Sequence, residues 1–434
     1  MKKIGFIGLL LCISVAANAQ KNTDKALASK ILRDSRLDTV QNRALNLLSG
    51  FTAGTSYGEV WIRDFNTFIN GSLKIHKKEK VKDLLLAFFR FQGKDGNIVD
   101  GYIPDEKADK SYMPDRFIYS KLMPGYAAHK NTVETDQESS LIQAIGKYID
   151  YTSDTSILNE TVDGISVLKR MEMAMNFILT KRWSPKHGLV IGATTVDWGD
   201  VQPDTSSIGV EINKETKWAI DVYDNAMFYM AINDFVRLAP KNYKPEKNWV
   251  KIAGELKKNT RTHLWRAGQQ KYIPHLYLNG SPFSADFKED ELLYSGGSAC
   301  AVLAGLNTVA EIKQINQQLL AMAAKEKYAT VGVTVYPPYP LKEFPNMAPY
   351  VYQNAGDWTW FGGRFVQGLI KYNLVQEAYA DLNPMIDRVL KNKGFYEWYD
   401  IRTGAPKGSG EFRGEAGVLL DAITMLRTWA KLNQ

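Results

Sequence analysis

Apolar residues recur at helical spacing along most of the 434-residue chain. In the segment 138–151, for example, Leu141, Ile142, Ile145 and Ile149 fall on one helix face. The same periodicity predicts twelve helices, over 24–48, 64–77, 79–93, 134–151, 155–181, 219–239, 246–267, 296–306, 308–326, 357–373, 375–392 and 411–432.

The predicted helices come in pairs joined by short turns such as Asp154-Thr155 and Gly305-Leu306-Asn307. Six helical hairpins with long loops at one end are typical of an (α/α)6 toroid, in which an inner ring of helices surrounds a funnel. We therefore predict an all-α toroid whose long loops form a pocket, with an irregular all-α bundle as the alternative. The long connections, rich in Gly, Pro and aromatic residues, are 94–133, 182–217, 268–295, 327–356 and 393–410.

The first 19 residues have the pattern of a secretory signal peptide. Lys2-Lys3 precedes an apolar stretch over 4–15, and Ala17-Asn18-Ala19 offers a cleavage site between small residues. The apolar stretch is too short to span a bilayer. We therefore expect a protein exported to a Gram-negative periplasm without a stable membrane anchor. Residues 20–434 are predicted to form a single (α/α)6 catalytic domain.

The composition argues against a nucleic-acid-binding protein, a disulfide-bonded protein and a metalloprotein. The net charge of +7 falls to +5 without the two leader lysines, and no Lys/Arg block remains, so nucleic-acid binding is not expected. Cys300 is the one cysteine outside the leader, which excludes an intramolecular disulfide in the exported protein. The five histidines show no metal-ligand spacing, and we expect neither a metal nor another cofactor.

The loop over 59–65 contains Trp61, Arg63 and Asp64 in close succession. A guanidinium beside a carboxylate suits hydrogen bonding to adjacent sugar hydroxyls, and an indole can stack on a sugar ring. The alternative is that Asp64 only caps the helix that starts here.

Two further loops place carboxylates near aromatic side chains or at the start of a helix. In 133–138, Asp136 is a candidate ligand contact, although acidic residues in a first helical turn also stabilise the helix itself. In 194–200, Asp197 and Asp200 flank Trp198-Gly199. A carboxylate in a partly dry loop tends to hold its proton, as a general acid must. Either aspartate is a candidate, and an Asx-turn is the structural alternative.

The last two loops are the richest in aromatic residues. Polar side chains alternate with two tryptophans over 352–364, where the alternative is a tightly packed helix start. Glu397 lies among four aromatic residues within 394–400. That setting favours a functional carboxylate over a structural one paired with Arg402 or Arg413.

Taken in order, these motifs resemble those of the inverting (α/α)6 glycoside hydrolases, the six-hairpin glycosidases, which include alkaline/neutral invertases, trehalases and processing α-glucosidases. Trp61–Phe65 is similar to the invertases' Trp-x-Arg-Asp-Phe opening, and Asp136–Asp154 to their helix ending in Thr-x-Asp. Tyr352–Trp358 is similar to their Tyr-x-Asn-x-Gly-x-Trp segment, and Glu397–Gly404 to a Glu-x-Tyr-Asp box followed by a Thr-Gly turn. The resemblance covers about 54–432.

The resemblance implies an exported glycoside hydrolase that cleaves α-linked, by default α-glucosidic, oligosaccharides with inversion. It implies Asp197 as the general acid, with Asp200 as the competing candidate, and Glu397 as the general base. The implied sugar-binding residues are Trp61, Arg63, Asp64, Asp136, Trp198, Asp200, Asn354 and Trp358.

Two other functions remain as alternatives. A polysaccharide lyase acting on an acidic glycan would use the net positive charge, together with Tyr352 and Asn354. A glycan-binding protein without catalysis would use the same tryptophans and aspartates to hold sugar only. Hydrolysis is preferred to both because carboxylates, with few histidines, mark the loops.

Overall fold

The computed structural model describes residues 22–110, 117–205 and 208–434, and the predicted signal peptide lies outside them. The described residues form thirteen α-helices, over 22–33 (α1), Ser35–Leu47 (α2), Ile62–Ile75 (α3), Lys78–Arg90 (α4), Gln137–Thr152 (α5), Val167–Lys181 (α6), Val222–Leu238 (α7), Trp249–Leu264 (α8), Gly296–Ala304 (α9), Val309–Ala323 (α10), Thr359–Lys371 (α11), Val375–Asn392 (α12) and Arg413–Leu432 (α13).

Six of these helices form a closed inner ring. α3 packs against α5, α5 against α7, α7 against α9, α9 against α11 and α11 against α13, and α13 returns to α3. The other helices lie outside: α4 and α6 pack against α5, α8 against α7, α12 against α11 and α2 against α13. Glu311 on α10 forms an ion pair with Arg261 on α8, 2.6 Å apart. This arrangement confirms the predicted (α/α)6 toroid.

Small residues allow the ring to close. On α13, a Cβ atom at Gly417 would lie 2.3 Å from the Cβ of Phe68 on α3, so only glycine permits this approach of the two helices. A Cβ at Gly71 would meet Leu48 and Leu420 in the same way. The ring therefore closes by backbone proximity as well as by burial of apolar side chains.

Two predicted helices are shorter than their hydrophobic pattern indicates. The helix predicted over 24–48 is interrupted at Asp34, whose side chain accepts the Arg36 N–H and caps α2. The helix predicted over 155–181 begins only at Val167. The residues before it form a 3-10 turn and a hairpin, because Asp163-Gly164 adopts the left-handed conformation (φ 51° and 74°) of a two-residue β-turn.

The long connections contain short antiparallel strands, which the sequence pattern did not predict. One sheet has four strands in the order β1-β2-β4-β3, one has three in the order β13-β10-β9, and the rest are two-stranded. The strands are Val60–Trp61 (β1), Gly101–Pro104 (β2), Ile118–Tyr119 (β3), Tyr126–His129 (β4), Thr161–Val162 (β5), Ile165–Ser166 (β6), Trp183–Ser184 (β7), Leu189–Val190 (β8), Gly192–Ala193 (β9), Trp218–Ile220 (β10), Trp265–Arg266 (β11), Lys271–Tyr272 (β12), Leu276–Tyr277 (β13), Leu293–Tyr294 (β14), Val335–Tyr336 (β15), Tyr396–Tyr399 (β16) and Pro406–Gly410 (β17).

Within the described part of the chain, no helix has both the length and the apolar character needed to cross a membrane.

Candidate active site

A cavity of about 530 Å³, here called the mouth cavity, lies at the N-terminal ends of the inner helices. α3, α5, α11 and α13 contribute side chains from their first turns or from the residue just before, and β16 and the loop before α7 complete the wall. Helix N-termini carry partial positive charge, which favours carboxylates nearby. The polar lining residues are Tyr57, Arg63, Asp64, Asp100, Glu134, Gln137, Asp200, Tyr352 and Glu397. The aromatic lining residues are Trp61, Trp198, Trp358, Trp360 and Phe412.

Glu397 is held in the wall of the mouth cavity by two hydrogen bonds. Its Oε1 accepts the hydroxyl of Tyr57 at 2.6 Å and its Oε2 accepts the backbone N–H of Ser409 on β17 at 2.7 Å. Gly408 (φ 67°) makes room for the carboxylate, since a Cβ there would lie 2.3 Å from Oε2. Burial raises the pKa of Glu397, and the hydrogen bond from Tyr57 opposes that shift.

Asp200 lies in the same cavity, and its charge raises the pKa of Glu397. Gln353 donates from Nε2 to Asp200 Oδ1 at 2.9 Å, and Asn131 donates to the Asp200 backbone carbonyl at 2.8 Å. The side chain is half-buried. Asp200 is thus the aspartate of the 194–200 loop that shares the cavity with Glu397.

The structure does not bring Asp197 into the mouth cavity. Its two carboxylate oxygens accept the backbone N–H groups of Gly296 at 2.6 Å and Gly297 at 2.7 Å, so they cap the N-terminus of α9. Burial raises the pKa of Asp197 to about 8, against the effect of these two hydrogen bonds. Asp197 borders a smaller space of about 230 Å³, which shares Arg63, Glu134 and Trp198 with the mouth cavity. In this structure both carboxylate oxygens of Asp197 are bound to the N-terminus of α9, and Asp197 does not line the mouth cavity.

Arg63 lines the mouth cavity but is committed to two carboxylates. Its Nε lies 2.7 Å from Asp136 Oδ2, and its Nη2 forms an ion pair with Glu134. Tyr223 also donates its hydroxyl to Asp136, at 2.6 Å. Asp136 therefore lies behind Arg63 and does not line the cavity, whereas its neighbour Glu134 does.

Asp64 lies in the wall, and its buried Oδ1 has no hydrogen-bond partner among the described residues. Burial raises the pKa of Asp64 to about 7; Arg63 and Arg364 lower it and Glu397 raises it further. Four more buried polar atoms of lining residues are likewise unpartnered within the described ranges: Trp61 Nε1, Asp100 Oδ1, Gln137 Oε1 and Trp198 Nε1. Unpaired buried polar atoms are costly unless a ligand or water completes them.

The aromatic lining is rigidly packed. Trp198 stacks on Phe361 with ring centroids 4.4 Å apart and meets Trp358 edge-on at 4.6 Å. Trp358 in turn donates its indole N–H to the carbonyl of Tyr352 at 3.1 Å. Trp61, Trp198 and Trp358 all line the mouth cavity. Flat rings in this setting suit the faces of a sugar.

Asn354 is also placed outside the mouth cavity. Its side chain accepts the N–H of Tyr339 at 2.8 Å and donates to the carbonyls of Tyr339 at 2.9 Å and Met347 at 3.0 Å. It therefore holds the loop before α11 in shape. The residue beside it, Gln353, is the one that reaches Asp200.

A second, larger space of about 1210 Å³, here called the outer cavity, adjoins the mouth cavity. Tyr57, Trp61, Asp200 and Tyr352 line both, whereas Glu397 lines only the mouth cavity. Asp200 therefore lies at the boundary of two connected spaces.

Sequence comparison identifies no relatives: no protein-family profile matches the chain, and no curated protein is significantly similar to it. Solved structures do match. The GH63 mannosylglycerate hydrolase from Thermus thermophilus, in complex with Tris, aligns with a TM-score of 0.65 at 15% identity over 88% of this chain and 99% of that chain. The GH78 family rhamnosidase of Bacillus sp. GL1 aligns with a TM-score of 0.57 at 13% identity over 89% of this chain and 34% of that chain.

A third structure, the rhamnosidase from Klebsiella oxytoca with rhamnose bound, aligns with a TM-score of 0.55 at 14% identity over 89% and 63% of the two chains. The chain has the fold of these glycoside hydrolases. The predicted resemblance to six-hairpin glycosidases is confirmed at the level of the fold.

Across residues 22–110, 117–205 and 208–434, no three His, Cys, Asp or Glu side chains are grouped as a metal site requires.

Several cavity residues were not among the predicted site residues. Glu134, Gln137, Tyr352, Trp360 and Phe412 lie within or beside the motifs that the sequence singled out. Tyr57 and Asp100 lie outside all of them. Asp100 directly precedes β2, which pairs with β1, the strand that contains Trp61. Only this pairing between segments distant in sequence brings Asp100 to the site.

Proposed function

We propose that this chain is an exported glycoside hydrolase that cleaves α-linked oligosaccharides with inversion, with Asp200 as the general acid and Glu397 as the general base. The observation that supports it best is the pair of carboxylates in one cavity, of which only Asp200 also borders the outer cavity. A sugar ring in the mouth cavity and a leaving group in the outer cavity would have their glycosidic oxygen beside Asp200.

In this mechanism Asp200 donates its proton to the glycosidic oxygen as the bond to the anomeric carbon breaks. Glu397 takes a proton from a water molecule, whose oxygen attacks the anomeric carbon from the opposite face. The hydrogen bonds that Glu397 accepts from Tyr57 and Ser409 stabilise its ionised form, as a base requires. The product leaves with inverted configuration.

The lining supports a neutral, hydroxyl-rich sugar as the substrate. Asp64, Asp100 and Gln137 each present an unpartnered acceptor oxygen, and sugar hydroxyls are the donors that would satisfy them. Five carboxylates line the mouth cavity against one cation, Arg63, which is already paired. An acidic glycan would be repelled here, so this charge balance disfavours the polysaccharide lyase.

An α-glucoside is proposed as the first substrate to test, from the resemblance to the α-glucosidases and from the complex of the Thermus thermophilus mannosylglycerate hydrolase with glucose. The mannosylglycerate hydrolase and the rhamnosidases among the similar structures add mannosides and rhamnosides to the panel. Export to the periplasm is part of the proposal and depends on the sequence pattern of residues 1–19 alone.

The experiment compares the parent with Asp200→Asn, Glu397→Gln and Asp197→Asn on this panel and on the α-glycosyl fluoride of the sugar that is cleaved. Fluoride departs without protonation, so the acid variant Asp200→Asn should recover much of its rate on the fluoride while Glu397→Gln stays inactive on both substrates. NMR detection of the first-formed anomer tests inversion.

If Asp200→Asn does not cleave the glycosyl fluoride either, Asp200 is not the general acid. If Asp197→Asn is inactive on the sugar substrate but active on the fluoride, the general acid is Asp197. Sugar binding by the parent without turnover of any substrate would favour the glycan-binding alternative.

A further inference from the structure

A second site lies on the axis of the toroid, beyond the first turns of the inner helices that line the mouth cavity. This axial cavity has a volume of about 600 Å³ and is lined by side chains from all six inner helices. Thr67 belongs to its wall, and the Thr67 hydroxyl accepts the indole N–H of Trp360, a residue of the mouth cavity, at 2.9 Å. The mouth cavity and the axial cavity have no lining residue in common, and the hydrogen-bonded pair Trp360 and Thr67 lies between them.

The axial cavity contains two cations, Lys147 and Arg364, and neither forms an ion pair within 4.0 Å of a carboxylate in the described part of the chain. Lys147 Nζ donates to the backbone carbonyl of Asn66 at 2.6 Å. Arg364 is 6% exposed, and its hydrogen-bond contact is the Cys300 sulfur at 3.7 Å. Its guanidinium also lies over Trp360 and Phe361.

One carboxylate, Asp421, shares this cavity, and it accepts a hydrogen bond from Asn70 at 2.8 Å. Asp421 can balance one of the two cations, and the other nearby carboxylate, Asp234, is already paired with Arg237 at 2.8 Å. Burial and repulsion from Arg364 lower the pKa of Lys147 to about 8, and Asp421 opposes this. Arg364 is buried and Lys147 is half-buried, and a cation without an ion pair in such a place is stabilised when a counter-ion binds beside it.

We propose that the axial cavity binds a small inorganic anion, held between Lys147 Nζ and the guanidinium of Arg364. The ligand class is set by the two cations that form no ion pair in the described chain, which match chloride or phosphate. The site is separate from the proposed hydrolytic function, because neither cation lines the mouth cavity. An anion here would stabilise the fold without taking part in the reaction.

The test uses thermal unfolding of the exported protein, titrated with chloride or with phosphate while sodium glutamate keeps the ionic strength constant. We expect a saturable rise in the melting temperature with at least one of the two anions, and calorimetric titration should give the same dissociation constant. Lys147→Met and Arg364→Gln should each raise that constant by about tenfold or more.

The matched control is Lys258→Met, which removes an exposed lysine from the outer helix α8 and should leave the response unchanged. A response to both anions that never saturates, or one that persists in Lys147→Met, would overturn the proposal. Because the parent titration and the Lys147 variant are decisive by themselves, a failure of Arg364→Gln to fold does not weaken the test. Inactivity on every sugar substrate would leave this result untouched.

Discussion

The mouth cavity and the axial cavity lie in one ring of helices but differ in charge. Carboxylates dominate the mouth, at the N-terminal helix ends, and its one cation, Arg63, is paired with Glu134 in the wall and with Asp136 behind it. The axial cavity contains two cations without an ion pair in the described chain. Under the two proposals made above, the inner helices build two sites: their first turns carry groups for a hydroxyl-rich ligand, and their later turns hold an anion.

Arg364 connects the two regions electrostatically. It packs over Trp360 at 5.0 Å, and it lowers the pKa of Asp64 in the mouth cavity. A negative ion bound beside Arg364 would partly cancel that effect. Charge in the axial cavity can therefore influence the mouth cavity without touching the substrate.

The largest effect should come from exchanging the two arginines for methionine. Arg63→Met leaves Glu134 and Asp136 buried without their cation and should lower the free energy of unfolding by about 3–5 kcal/mol. Arg364→Met in anion-free buffer should cost only about 0.5–2 kcal/mol, from its contacts with aromatic rings. Urea unfolding of both variants measures the difference. Equal losses in the free energy of unfolding would mean that Arg63 and Arg364 are equally well paired. The proposed difference in charge between the two cavities would then be wrong.

The next prediction separates two aspartates within one loop. Asp200→Asn should reduce turnover of the preferred disaccharide by about a hundredfold or more and leave the melting temperature nearly unchanged. Asp197→Asn weakens the cap on α9 and should instead destabilise the protein by about 1–3 kcal/mol.

Parallel measurements of kcat and of urea unfolding distinguish the two variants. A full loss of kcat in a stable Asp197→Asn protein would return the acid role to Asp197.

The sequence predicts the ring of helices and the loops of the site, but not every local feature. Helical periodicity and pairing predict the ring because each helix must bury one face against its neighbours. Motif chemistry locates the loops at the mouth, and Glu397, which the motifs single out, lines the mouth cavity. The short strands, the interruption at Asp34 and the hairpin at Asp163-Gly164 depend on local turn geometry that periodicity does not register.

Within each loop, sequence alone does not settle which side chain faces the cavity. Glu134 lines it, whereas Asp136, the predicted ligand contact, does not. Gln353 reaches Asp200 in the cavity, whereas Asn354, the predicted sugar-binding residue, lies outside it. Neighbouring side chains point in different directions, and backbone partners far away in sequence decide which of them points inward. Asp197 is an example, because its partners, Gly296 and Gly297, lie about a hundred residues further along the chain.

The smallest expected effect concerns Tyr57, whose hydroxyl donates to Glu397 in the mouth cavity. This hydrogen bond lowers the pKa of Glu397, so Tyr57→Phe should raise that pKa. Because the base must be ionised, the acidic limb of the kcat/KM profile should shift to higher pH, with activity below the limb reduced by about tenfold. Tyr223→Phe, which removes a hydroxyl from Asp136 outside the cavity, is the matched control and should leave the limb in place. An unshifted limb in Tyr57→Phe would mean that Glu397 is not the group whose ionisation limits the reaction.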